Sequence, residues 1–118
     1  MAQLLAHAAV FVIGALHVYI LVLEMFLWNK PAGLKAFGQT QAMADATRVL
    51  AANQGLYNGF LAAGLFWGLY TGSREFMVFF LLCVLVAGVY GGLTAARKIL
   101  FIQAVPALVA LGLLWAAG

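Results

Sequence analysis

The sequence predicts an all-α membrane protein: a bundle of four transmembrane helices with both termini outside and a long first loop on the cytoplasmic side. Three observations carry that expectation. The 118 residues are 67% hydrophobic and only 8% charged, with a mean hydropathy of +1.09, whereas soluble domains run about half apolar and about a quarter charged. A spanning helix needs about 20 apolar residues, so this length holds four spans and short connections in a single domain, residues 1–118. Five of the six basic residues, Lys30, Lys35, Arg48, Arg97 and Lys98, would share one side of such a bundle, against Arg74 on the other. Positive charge accumulates on the cytoplasmic side of short loops, which orients the chain in the cell inner membrane.

Each element follows from local signals. The first span covers 3–28 and ends at "FLWNKPAG", where Trp28 is an interfacial anchor and Pro31 with Gly33 breaks the helix. No positive n-region precedes it and the apolar stretch runs past residue 20, so it reads as a retained span instead of a cleaved signal. Residues 29–45 form the one long connection, whose middle suits a short interfacial helix with Leu34 and Phe37 dipping into lipid. Asp45 or Thr47 can cap the second span, 46–70, which ends at "GLYTGSRE" with Trp67 and Tyr70 at the far interface. The third span covers 75–95 and stops before Arg97 and Lys98; the fourth starts near Ile99 and reaches Trp115, with Pro106 as a mild kink. Cys83 has no partner within the chain and behaves as a small hydrophobe.

Polar residues gather at one level. Taking Trp28, Arg48, Arg97 and Ile99 as the cytoplasmic border and a rise of 1.5 Å per residue, Glu24 lies about 6 Å deep, His17 about 16 Å, Asn53 and Gln54 about 8 to 9 Å, Tyr57 and Asn58 about 14 to 15 Å, Tyr90 about 10 Å and Gln103 about 6 Å. All fall in the cytoplasmic half. His17 and Glu24 share nearly one stripe at a spacing of seven. Gln54 and Asn58 are four apart, as are Asn53 and Tyr57, so these four are expected on one side of the second span. A carboxylate in the bilayer is costly unless paired, hydrated or protonated, so Glu24 should face inward. The pairs Gly55/Gly59, Gly64/Gly68 and Gly88/Gly92 have the small-residue spacing that lets helix backbones approach.

The stretches "HVYILVLEMFLWNKPAGLKAFG" and "RVLAANQGLYNGFLAAGLFWG" resemble the small bacterial integral membrane proteins grouped as domain of unknown function 1304, over nearly the whole chain. His17, Glu24, Met25, Trp28, Asn53, Gln54, Gly55, Tyr57, Asn58 and Gly59 match its motif. The resemblance implies a bacterial inner-membrane helical protein and no particular activity. A looser similarity, to the membrane-associated eicosanoid and glutathione metabolism enzymes, rests on Arg48 and Asn53 and departs from them at Leu56.

The expected function is binding of a small amphiphile, such as a lipid or quinone, in a pocket in the cytoplasmic half. Glu24 and His17 would be its ionisable pair, and Asn53, Gln54, Tyr57, Asn58, Arg48, Tyr90 and Gln103 its hydrogen-bonding lining. The alternatives are an enzyme using Glu24 or His17 as general acid/base on a lipophilic substrate, and a proton-coupled transporter subunit. The expected partners are membrane lipid and a second copy of the chain. Nucleic acid is not expected, because the six basic residues are scattered over loops and make no basic face. No closed metal-ligand set is expected from two histidines ten residues apart with one carboxylate, and no phosphate-binding loop or nucleophile elbow is present in the sequence.

Overall fold

The computed structural model describes residues 1–118 and is entirely helical. Six α-helices follow in order: α1 (Ala2–Met25), α2 (Pro31–Phe37), α3 (Gln41–Ala46), α4 (Arg48–Thr71), α5 (Arg74–Thr94) and α6 (Val105–Ala116), the last preceded by a π-helical turn, Leu100–Ala104. Two of them, α1 and α5, are long and apolar enough to cross a membrane, and Leu100–Ala116 is a shorter apolar run. The 24 residues of α4 match α1 in length, but Asn53, Gln54 and Asn58 dilute their apolar character. The contacts divide the chain into two compact units, Leu16–Phe60 and a second built from Met1–Ala15 with Leu61–Gly118.

In the second of these units the core is apolar throughout. Ala6, Val10 and Ile13 of α1, Leu65 of α4, Met77, Leu81 and Val84 of α5, and Ala107, Ala110 and Leu114 of α6 form one buried cluster. Within each helix they recur at three- and four-residue intervals, the spacing that keeps side chains on one face. Gly88 lets α5 lie against the π-helical turn: a β-carbon there would stand 2.6 Å from the Ala104 nitrogen. Gly72, at φ +69, makes the tight turn from α4, and the Ser73 hydroxyl then caps α5 by accepting from the Phe76 N–H at 3.2 Å.

The π-helical turn is the structure's version of the kink expected at Pro106. Proline has no N–H to return to the carbonyl four residues back, and the Val105 N–H just before it reaches five residues back to the Leu100 carbonyl. The widened turn therefore absorbs the gap, and Pro106 sits at the start of α6, where a missing donor is tolerated.

The unit Leu16–Phe60 holds the last part of α1, the connection with α2 and α3, and the first part of α4. The connection is braced, not slack. Pro31 opens α2 and Gly38, at φ 62, closes it; the Thr40 hydroxyl caps α3 by accepting from the Met43 N–H at 3.2 Å. Asn29 and Gln41 both donate to Oδ1 of Asp45, at 3.1 and 3.0 Å, and Gln41 also donates to the Asn29 carbonyl. The expected caps of α4 are thus otherwise engaged: Asp45 holds these amides, and the Thr47 hydroxyl donates to the Met43 carbonyl while accepting from the Trp28 indole N–H. Phe37, expected in lipid, packs its ring against Trp28 with centroids 4.8 Å apart.

Candidate functional site

Glu24 sits one residue before the end of α1 and is 2% exposed. Gln54 donates from Nε2 to one of its oxygens at 2.8 Å, and Asn58 donates from Nδ2 to the other at 2.6 Å. The two amides are one helical turn apart on α4, so a single carboxylate bridges consecutive rungs of one face. Close approach makes this possible. Gly55 is buried against α1, and a β-carbon there would lie 2.7 Å from Met25 Cγ, 3.0 Å from Glu24 Cβ and 3.3 Å from the Leu21 carbonyl oxygen. Gly59, one turn on, faces Leu21 in the same way. Glycine thus brings α4 within amide reach of the carboxylate.

Hydrogen bonds to a charged group are worth about 1.5–3 kcal/mol in proteins generally, and polar pairs between membrane helices average nearer 0.6–2 kcal/mol. The Glu24 node therefore contributes a few kcal/mol at most to holding α1 on α4. Chemically it is a fixed acceptor pair.

The other residues expected at the site are placed as follows. His17 is fully buried on α1, about 10.5 Å from Glu24 along the helix axis. Asn53 is exposed, and Tyr57 is 59% exposed with its ring edge-on to Phe60. The expectation that all four polar residues of α4 share one side is therefore corrected: one residue is about 100° of helical rotation, and Gln54 with Asn58 reach Glu24 while Asn53 and Tyr57 do not. Tyr90 is 70% exposed on α5 and Gln103 is half-buried in the π-helical turn; neither belongs to the unit that holds Glu24. Arg48 is exposed at the start of α4.

Arg48 instead lines a cavity of about 170 Å³ in the unit Leu16–Phe60, together with Met25, Phe26, Trp28, Asn29 and Lys30. The cavity begins at the residue following Glu24, and Arg48 stands about 9 Å along α4 from Gln54. Four of its six lining residues come from the turn after α1, with Met25 at the end of α1 and Arg48 at the start of α4. The sequence marks Trp28 as an interfacial anchor, Lys30 as a charge that sets orientation and Arg48 as a lining residue; the signal for the rest is an aromatic, an amide and a lysine in succession at a helix end.

The profile of the family described as Protein of unknown function (DUF1304) matches residues 11–115. The chain belongs to this family. Among curated proteins this DUF1304 member is similar to the uncharacterized protein YpaA of Lactococcus lactis, at 29% identity over 97 residues, spanning 79% of this chain and 82% of that one. No solved structure matches the chain. The match to DUF1304 includes Glu24, Gln54, Asn58 and every residue of the cavity.

Proposed function

We propose that this DUF1304 protein spans the bacterial inner membrane four times, with both termini outside, and holds a small amphiphile in the cavity beside the Glu24 node. Several features support the membrane reading. Large apolar side chains lie on the outside, among them Phe11, Val12, Phe79, Val86 and Leu108, while His17 and Glu24 are the buried polar residues. That inversion suits a lipid solvent, in which an ionisable side chain is turned away from hydrocarbon. The connection carrying Lys30, Lys35 and Arg48 then faces the cytoplasm by its charge.

One observation carries the binding reading: the cavity joins Met25, Phe26 and Trp28 to Asn29, Lys30 and Arg48. A mainly polar, cationic lining edged by apolar side chains is what the head of an amphiphile meets at a membrane border. Glu24, gripped by Gln54 and Asn58, fixes the helix ends that carry this lining.

Mass spectrometry of the protein released from its native membrane in mild detergent tests the proposal. A retained amphiphile is expected, and a photoreactive phenylalanine analogue at Phe26 should capture that molecule, whereas the same probe at Val86 should capture bulk lipid. Release without any bound small molecule, with identical capture at both positions, would overturn the reading.

A further inference from the structure

We infer that the cavity recognises a phosphate group, borne on the head of the amphiphile, through Lys30 and Arg48. The inference rests on the amphiphile reading of the same cavity and names the chemistry of the head. Lys30 precedes α2 and Arg48 opens α4, so two cations 18 positions apart in sequence line one space of about 170 Å³. Two cations on one cavity give it a positive potential that favours an anion there. Neither neighbouring acid serves: Glu24 is held by the amides of Gln54 and Asn58, and Asp45 through Oδ1 by those of Asn29 and Gln41, and neither forms a salt bridge with Lys30 or Arg48.

The other lining groups narrow the ligand. The Trp28 indole N–H is donated to the Thr47 hydroxyl at 3.1 Å, and the Asn29 Nδ2 is turned to Asp45. Trp28 therefore presents ring, Met25 and Phe26 present apolar chain, and polar recognition falls on the guanidinium and the ammonium. Guanidinium offers a planar fork that matches two phosphate oxygens, and ammonium offers a compact charge for a third. The helix ends add nothing to this: Arg48 opens α4 and Met25 closes α1, each 24 residues long, so their opposite partial charges offset. A cavity of this size holds a phosphate and the few carbons beside it; longer chains would lie along the exposed apolar side chains, of which Phe26 is the nearest.

Trp28 reports on its own cavity once the exposed Trp67 and Trp115 are replaced by Phe. In that background the full chain, in detergent, is titrated with dihexanoyl phosphatidic acid, with dihexanoylglycerol and with inorganic phosphate. The phosphatidic acid should shift Trp28 emission saturably, and K30A and R48A should each weaken it about tenfold or more. K35A, at an exposed α2 lysine outside the cavity, should leave it unchanged, and R48K guards against misfolding of R48A by keeping the charge while losing the fork. Displacement by inorganic phosphate would assign the site to the phosphate itself; indifference to it would assign recognition to the lipid-borne group. Equal affinity for dihexanoylglycerol, or unchanged binding in folded K30A and R48A or R48K, overturns the phosphate inference and leaves the amphiphile reading standing. No response to either lipid overturns both.

Discussion

Glu24 is held by two neutral amides, so deleting its acceptors and deleting its charge are different experiments. Glu24→Ala strands the Gln54 and Asn58 donors against an apolar gap and should cost about 2–3 kcal/mol. Glu24→Gln keeps one acceptor, and either amide on α4 can reverse to accept from the new N–H, so its cost should be about 1 kcal/mol or less. Unfolding midpoints in detergent measure both; an unchanged midpoint for Glu24→Ala would show that the node does not bear on stability. The inward turn of Glu24 was legible because a carboxylate in an apolar helix has few other places to go. That α4 would supply polar partners was legible from the four-residue spacings of Asn53 with Tyr57 and Gln54 with Asn58. The phase was not: two interleaved pairs, 53/57 and 54/58, satisfy the same spacing, and only the packing of Gly55 on α1 decides which faces Glu24. Lys30 was legible as a charge but not as a wall of a cavity, since that depends on the path of the turn after Met25.

At the scale of elements, the approach of α4 to α1 is set by glycine, and Gly55→Ala tests it directly. The added methyl meets Glu24 Cβ and the Leu21 carbonyl as well as the flexible Met25, so the helices must separate. Overpacking of this kind costs about 1–3 kcal/mol, and the amide contacts to Glu24 should loosen with it, which a smaller additional penalty for Glu24→Ala in the Gly55→Ala background would reveal. Full additivity would mean the glycine and the node act separately. The sequence placed the four long helical runs within a few residues of their observed ends. It carried the first span three residues too far, to Trp28, because apolarity continues after Met25 while the chain already turns so that the indole reaches Thr47. The caps of α3 and α5, Thr40 and Ser73, went unread since their neighbours compete for the same role by composition alone.

For the whole molecule, the decisive question is which side each loop occupies. With Cys83 replaced by Ser, single cysteines at Lys35 and Ala116, both exposed, give the answer. A membrane-impermeant maleimide should label the cysteine at 116 in intact spheroplasts and the one at 35 only in inverted vesicles. The reverse pattern would overturn the proposed orientation, and equal labelling in both would end the four-span reading. Helical class was legible from composition, because nothing in 118 residues so apolar breaks the helix period for long. How the chain divides was not, since α1 and α4 each contribute to two compact units and no linker marks the division.

The widened turn at Leu100–Ala104 also resets the clock of the last helix. One residue beyond the α count delays everything downstream by about 100°. A helical wheel drawn straight through from Ile99 to Trp115 therefore misassigns one half, and the stripe of Ala107, Ala110 and Leu114 owes its azimuth to that single supernumerary residue.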